Sequence, residues 1–328
     1  MARAITIGNF DGVHVGHQAL VTRARELVGA SPSGEIIAMA FDPHPASVLR
    51  PGHAPARIST FDQRERWLRA CGADRVVRLA PTPEFLSMSA REFVQSLVED
   101  FTPSLFVEGP DFHFGRGREG NVGTLEELGK EFGFGCEVVQ GVEVALSDQL
   151  VVSASSSVVR WLVANGRMRD AAIVLGRPFC IDGVVNRGDR RGRTIGFPTA
   201  NIRTPCMLPA DAVYAGIATL PDGSRFAAGV HVGPRATFGD SLRTVEAHLL
   251  GVPVETDADG TRRLAGLPEY GWGVSIEFVS WIRDQIAFGS VDELVKQIEA
   301  DCQRAAEIVR RDFGVGSDFP KPRQEAAV

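Results

Sequence analysis

The chain has 328 residues, and at a usual domain size of roughly 100 to 200 residues that length favours two domains over one. Hydrophobic residues make up 44% and charged residues 23%, which excludes disordered, collagen-like and fibrous classes. With 35 Lys+Arg against 41 Asp+Glu the formal net charge is -6, so no broad positive field attracts a nucleic acid or an anionic membrane, and any phosphate must be held by local geometry.

Residues 1 to about 175 alternate short apolar runs with helical stretches, the rhythm of β-α units on a parallel sheet. Strands are expected at Ala4–Ile7, Ile36–Phe41, Val76–Leu79, Leu105–Val107 and Glu137–Val139. Thr60-x-x-Gln63, Ser89-x-x-Glu92 and Thr124-x-x-Glu127 each fit a capping box and predict helix starts between them.

After Gly176 strands succeed one another across Gly, Pro and Asp turns, which predicts an antiparallel sandwich or barrel. Candidates are Cys180–Val185, Tyr214–Leu220, Phe226–Val232, Thr244–Leu250 and Trp272–Ile282. In the last, Trp272, Val274, Ile276 and Phe278 share one face, with Ser275 and Glu277 on the other. A final helix starts at Ser290-x-x-Glu293, and its stripe of Val291, Leu294, Val295, Ile298, Cys302, Ala305 and Val309 should pack on the β domain. The tail from Gly314 lacks periodicity and is expected to be disordered.

Five scattered cysteines without a C-x-x-C pair disfavour disulfides and zinc. The N-terminus enters strand-like sequence at once, and no apolar run approaches the ~18 residues of a bilayer span, so a cytoplasmic setting without a membrane partner is expected.

Gly8-Asn-Phe-Asp-Gly-Val-His-Val-Gly-His17 sits between the first strand and the first helix, where open α/β sheets bind ligands. His14 and His17 can direct ring N–H donors at a polyphosphate, while Gly16 lets it approach the backbone; taken alone, the tetrapeptide reads equally as loop histidines capping a helix. Ser155, Ser156 and Ser157 before a helical stretch, with Arg160, read as ordinary caps or as a second anion cradle. Phe112 and Phe114 fit either a ligand ring or the core, and Asp111 is placed to accept from a nucleotide or from Mg2+ waters.

In the second half, Gly188 to Asn201 contains no G-x-x-x-x-G-K-[ST], which rules out a P-loop. Glycines 188, 192 and 196 with Arg190, Arg191 and Arg193 form a basic loop, and Pro198-Thr-Ala-Asn201 reads as a rigid turn offering a hydroxyl and a carboxamide to Mg2+. Thr244 to Leu250 alternates so that Glu246 and His248 share one strand face.

These blocks occur in one order: GNFDGVHVGHQ, Phe41-Asp-Pro-His-Pro45, Gly109-Pro-Asp-Phe-His-Phe-Gly115, Ser155-Ser-Ser-Val-Val-Arg160, then G-R-T-I-G-F-P-T-A-N and V-E-A-H-L-L. The chain thereby resembles the bacterial bifunctional riboflavin kinase/FMN adenylyltransferase (FAD synthetase) family over roughly residues 3 to 311. The resemblance implies a Rossmann-like α/β nucleotidyltransferase domain over 1–175, then an antiparallel β-barrel flavokinase domain with a C-terminal helix over 176–313, and a tail over 314–328. It implies riboflavin, FMN and ATP as ligands with Mg2+, no nucleic-acid partner, and a monomer or weak homo-oligomer. Carried onto this sequence, His14 and His17 stabilise charge in adenylyl transfer and Glu246 is the base of the kinase. Gly8, Asn9, Phe10, Asp11, Gly16, Asp111, Ser156, Ser157 and Arg160 then bind nucleotide or flavin in the first domain, and Gly188, Arg193, Thr199, Asn201 and Arg283 in the second. Thr199 and Asn201 become the metal candidates; Arg283 reads equally as a salt-bridge partner.

Departures from the family pattern are a short N-terminus, SSS in place of S-S-T, Ala236 in place of a proline, and an acidic insert over Gly251–Gly266. The insert makes retention of only one activity an alternative expectation. A flavin- or nucleotide-sensing protein without catalysis is a further alternative, set against the presence of every catalytic candidate.

Overall fold

A computed structural model describes residues 2–29, 34–188, 192, 195–234, 243–256 and 262–314. The chain divides into two compact units, one running to Val159 and regaining Val174–Gly176, the other comprising Arg160–Ile173 and the chain from Arg177 onward. Residues 160–173 thus group with the second unit, whereas the change of sequence rhythm lies at 175/176.

The first unit runs β1 (Arg3–Gly8), α1 (Val15–Val28), β2 (Glu35–Phe41), α2 (Ala46–Leu49), α3 (Phe61–Ala70), β3 (Arg75–Leu79), α4 (Pro83–Ser87) and α5 (Ala90–Phe101). It continues through β4 (Leu105–Glu108), β5 (His113–Phe114), β6 (Gly120–Asn121), α6 (Val122–Phe132), β7 (Gly135–Val138), β8 (Glu143–Ala145) and β9 (Val151–Ser153). The five expected strands form one parallel sheet in the order β3-β2-β1-β4-β7. Both faces are covered, as a parallel sheet requires. Ala4, Ile36, Ala38 and Ala40 pack against α1 and α3 through Val21, Ala24 and Leu68, while Ile5, Ile7, Ile37 and Met39 meet Phe93, Val94, Leu97 and Leu125 of α5 and α6. Chain order reverses between β1 and β4, so their carboxyl ends border the crevice where such sheets take ligands.

Two capping boxes form reciprocally, Thr60 with Gln63 and Ser89 with Glu92. The third is corrected: α6 begins three residues earlier than Thr124 implied, capped by Asn121, whose Oδ1 accepts from the Thr124 N–H at 3.1 Å. Asparagine caps as well as serine, and with it in place Thr124 falls at the third helical position.

The polypeptide passes through α7 (Ser156–Ala164) and α8 (Met168–Leu175) into the second unit's strands β10 (Phe179–Asn186), β11 (Ala200–Arg203), β12 (Ala212–Thr219), β13 (Arg225–Pro234), β14 (Arg243–Leu249), β15 (Val254–Thr256), β16 (Arg262–Leu264) and β17 (Gly273–Asp284), and ends on α9 (Val291–Phe313). Six strands close an antiparallel barrel in the order β10-β11-β14-β13-β12-β17. Closure leaves no edge strand to protect. The alternation in β17 is as expected, with Trp272, Val274, Ile276 and Phe278 buried.

Ala200 and Asn201, read from sequence as part of a turn, instead begin strand β11, because Ala200 pairs with β14 and Asn201 with both β10 and β14. The insert carries a hairpin of β15 and β16 rather than a plain loop. Ser290 caps α9 by accepting from the Glu293 N–H at 3.2 Å, acids fill its first turn and Arg310 and Arg311 its last, in line with the helix dipole. Ala305, Ala306, Ile308 and Val309 pack on Ala215, Ile217 and Ala227 of the barrel, whereas Val291 is exposed and leaves the expected stripe. Gly314 is the left-handed C-cap of α9 rather than the start of the tail, whose residues 315–328 lie outside the described residues.

Replacing the true cap is costlier than replacing the residue that sequence pattern nominated. Asn121→Ala should lower unfolding stability by about 1 kcal/mol, and Thr124→Ala by less than half of that, in denaturant titrations of the two variants.

Candidate active sites

The loop from Gly8 to Val15 turns β1 into α1 through two non-glycine residues in the left-handed region, Phe10 (φ 47°) and Val13 (φ 41°). Such conformations cost about 1–3 kcal/mol each and persist only where packing enforces them. Here both side chains are fully buried, and the Val13 N–H donates to the Phe10 carbonyl at 3.0 Å. Phe10, expected to bind nucleotide, is by this placement a core residue: its ring packs with Ala4 and Val107 and meets the edge of the His17 ring at 5.1 Å.

His14 stands at the N-cap of α1 and His17 one turn on, their rings stacked at 3.7 Å between centroids. Gly16 permits this, since a Cβ there would lie 3.1 Å from the His14 ring. The first turn of α1 contains no acid, so the positive end of its dipole is not neutralised from within. Ser156 joins the loop, donating to the Asp11 carbonyl at 2.8 Å, and Ser155 caps α7 by accepting from the Val158 N–H at 3.3 Å. Ser157 is exposed, and Arg160 belongs to the second unit.

The Asp11 carboxylate is committed elsewhere: it accepts from the N–H groups of Ile58 and Ser59 and from the Ser59 hydroxyl, at 3.0–3.1 Å. It therefore fixes residues 58–59 beside the loop. Asp111 is exposed and its carbonyl accepts from His113 Nδ1 at 2.8 Å; Phe114 is buried in the core, with Phe112 stacked on it at 5.3 Å. Of the two readings of that aromatic pair, the core reading is the one that holds for Phe114.

A polar cavity of about 120 Å³ opens alongside, lined by Asn9, Asp42, His44, Arg57 and Arg64 among others. Phe41, Asp42, Pro43 and His44 form one part of its wall. Arg64, which sequence reasoning passed over, ties it together: its guanidinium donates to the carbonyls of Asn9 (2.8 Å) and Phe41 (2.7 Å) and to Asp42 Oδ1 (2.6 Å). Burial pulls this guanidinium below its usual pKa, against the raising influence of Asp42 and Asp11. Asn9 Oδ1 is buried with no hydrogen-bond partner among the described residues.

In the second unit, strand register assembles the site. Asn201 of β11 lies opposite Glu246 of β14, Glu246 opposite His231 of β13, His231 opposite Val213 of β12, and Val213 opposite Arg283 of β17. Directly opposed residues share a face, so one row crosses five strands. Glu246, His231, Val213 and Arg283 line a cavity of about 350 Å³, with Thr199 and His248 on one side and Leu294, Ile298 and Asp301 of α9 on the other. His248 Nδ1 donates to the Pro198 carbonyl at 2.8 Å and its ring meets Phe197 edge-on, which fixes the approach to Thr199.

Of the two readings of Arg283, the ion pair is formed. The side chain lines the cavity and forms a bidentate pair with buried Asp301 at 2.7–3.0 Å. His231 was missed because a lone histidine in an apolar strand carries no pattern; only the register puts it next to Glu246. Burial first, and the charge of Arg283 second, hold its imidazole below the usual pKa.

Asn201 Oδ1 is buried without a hydrogen-bond partner among the described residues, and a Cβ on Gly188 would collide with this carboxamide. A hard acceptor oxygen two residues beyond Thr199, in a cradle that only glycine leaves open, fits an ion such as Mg2+ that keeps most of its ligands from water and phosphate. Among the described residues no cluster of three or more His, Cys, Asp or Glu side chains could hold a metal, and none of the five cysteines forms a disulfide. Arg190, Arg191, Arg193 and Ala236 lie outside the described residues.

Both geometries have counterparts among known proteins. A family model described as FAD synthetase matches residues 1–155, and one described as riboflavin kinase matches residues 175–309. The chain is 34% identical over 317 residues to the bifunctional riboflavin kinase/FMN adenylyltransferase of Escherichia coli (strain K12), covering 94% of this chain and 92% of the relative. It is 30% identical over 310 residues to that of Bacillus subtilis (strain 168), covering 92% and 90%. A crystal structure described as a macrolide-efflux protein from Streptococcus pneumoniae superposes with a TM-score of 0.78 at 28% identity, over 95% of this chain and 94% of that one. A parallel α/β sheet followed by a closed antiparallel barrel, matched in that order by the two family models, places the chain in the class of two-domain flavin nucleotide transferases. The chain belongs to the family of bifunctional riboflavin kinase/FMN adenylyltransferases.

The buried Arg64–Asp42 pair can be tested by removing the cation. Arg64→Met should destabilise the protein by about 3 kcal/mol, the lower end for a broken buried pair because Arg57 and Arg78 still face Asp42. The shift in the denaturant midpoint measures it.

Proposed function

We propose that the second unit phosphorylates riboflavin to FMN and the first adenylylates FMN to FAD, with ATP as donor in both reactions and Mg2+ as cofactor. The observation that carries this reading is the cross-strand row that sets Glu246 between Asn201 and His231, with Glu246 and His231 lining one cavity, alongside an independent histidine pair at a helix N-terminus in the other unit.

In the kinase, the riboflavin 5′-hydroxyl oxygen attacks the γ-phosphorus of ATP, its proton passes to the Glu246 carboxylate, and ADP leaves. His231, kept below its usual pKa, leaves Glu246 beside an uncharged ring at neutral pH, so no ion pair with that ring weakens the base. Asp301 holds Arg283 at the cavity wall, where it steadies phosphate. Thr199 and Asn201 would hold Mg2+, which neutralises charge on the phosphate chain.

In the adenylyltransferase, a phosphate oxygen of FMN attacks the α-phosphorus of ATP and pyrophosphate leaves. No covalent protein intermediate forms. His14 and His17 donate to the phosphate oxygens at the positive end of α1, and Ser156, Ser157 and the backbone at Gly8, Asn9 and Gly16 complete the cradle. Asp11 and Phe10 act one step removed, fixing the loop that carries the histidines. Asp111 would meet the nucleotide from the mouth of the crevice. The same reading takes the enzyme as cytoplasmic, monomeric or weakly self-associating, and without membrane or nucleic-acid partners, the last supported by the net charge of -6; among the described residues no helix is long and apolar enough to cross a membrane.

Separating riboflavin, FMN and FAD by chromatography after incubation with ATP and Mg2+ tests the reading; accumulation of FMN without FAD, or inert riboflavin with convertible FMN, would reduce it to one activity. His14→Ala and His17→Ala should each lower FAD formation from FMN by about two to three orders of magnitude and leave FMN formation intact. Glu246→Gln should abolish riboflavin phosphorylation with adenylylation nearly unchanged. Equal loss of both activities in any of these variants contradicts the assignment of one reaction to each unit.

A further inference from the structure

Glu108 closes β4 at the crevice where chain order reverses, and its carboxylate is almost wholly inaccessible, at 1% exposure. Ordered pairing between β1 and β4 is short: Ala4 lies opposite Leu105 and Ile5 opposite Phe106, and there it stops. On the other side of β1 the ladder to β2 continues to Gly8, and β4 itself remains paired with β7 up to Glu108. The two strands therefore part only from each other, and only at their carboxyl ends.

At the point of parting the Ile7 N–H donates not to a main-chain carbonyl of β4 but to Glu108 Oε1, at 2.8 Å. The carboxyl group occupies the place of the next ladder acceptor and lengthens the link between the strands by a side chain. A buried N–H must be satisfied, so the sheet would otherwise either close by one more rung or strand that donor. Gly8 and the nucleotide loop come immediately after Ile7.

We propose that Glu108 is a positioning residue for adenylyl transfer, a wedge that holds β1 and β4 apart so that the Gly8–His17 loop opens onto the crevice wide enough for ATP. This rests on the assignment of adenylylation to the first unit. No ion pair to Glu108 is formed among the described residues; from β1 it meets the Ile7 N–H, and on β7 the Cys136 thiol lies within electrostatic range. Burial accordingly raises its pKa well above the usual carboxylate value, against the lowering influence of the Ile7 N–H. Below the unfolded-state pKa both states hold the proton; as pH rises past it only the unfolded chain releases the proton, and folding is progressively penalised until the folded-state pKa is reached. A carboxamide has the wedge's shape without that penalty.

Three measurements on the full chain test the wedge. Glu108→Val, which cannot accept from Ile7, should raise KM for ATP in FAD formation at least tenfold with a smaller change in kcat, while riboflavin phosphorylation on the same sample stays at the wild-type rate and reports an intact fold. Glu108→Gln should rescue the ATP KM to within about twofold of wild type, and should melt increasingly above wild type as pH is raised from 5 to 8. A crystal structure of Glu108→Val should show the β1–β4 ladder extended beyond Ile5 and Phe106. An unchanged ATP KM in Glu108→Val, loss of FAD formation in Glu108→Gln, or an unaltered gap between the strands overturns the proposal. Wild-type protein that makes no FAD from FMN would instead overturn the assignment of adenylylation, and the strand gap in the Glu108→Val structure would still decide on the wedge.

Discussion

An acidic protein can hold a polyphosphate only where donors are fixed in place and the nearby carboxylates are already spoken for. Both candidate sites obey that constraint, and much of the surrounding structure exists to meet it. Around the histidine pair, Asp11 is consumed by the 58–59 backbone, Asp42 is enclosed by Arg57, Arg64 and Arg78, and the first turn of α1 contains no acid at all. Around the barrel cavity, Asp301 is matched by Arg283 and Gln297, which sets it apart from Glu246, the carboxylate assigned to proton transfer.

The two units solve the positioning problem by different means. The first uses a strained turn and a helix terminus, so its geometry depends on a few local residues in costly conformations. The second uses register across a closed sheet, where each side chain is placed by the hydrogen-bonded ladder on either side of it. Local strain and ladder register fail differently: the former through single substitutions near Phe10 and Val13, the latter only through disruption of the barrel itself.

Most of the architecture was legible in the sequence because it is written in periodicity. The alternation of Ile5 and Ile7 with Ala4, or of Val274, Ile276 and Phe278 with Ser275 and Glu277, specifies faces without knowledge of partners. The histidine pair, Glu246, Thr199 and Asn201 were legible because their motifs are contiguous. What escaped was whatever depends on contacts distant in sequence. Arg64 reads as one arginine of a polar helix until its reach to Asn9 and Phe41 is seen, and His231 and Asp301 acquire meaning only through the strands and helix that face them. Phe10 erred the other way, since a motif residue was taken as a contact when packing had claimed it. The Thr124 cap failed because two acceptable caps lay three residues apart and pattern alone could not rank them.

Strand β14 carries two incompatible lists of requirements on alternate residues. Val245, Ala247 and Leu249 are buried within the barrel, while Glu246 and His248 face the cavity. Because the side-chain period of a strand is two, loss or gain of one residue ahead of Val245 would exchange the lists, driving the carboxylate into the apolar interior and presenting aliphatic groups to the substrate. The strand can therefore drift by substitution within each list but not by insertion or deletion. The hairpin of β15 and β16 lies beyond Leu250, where it leaves the register of β14 untouched.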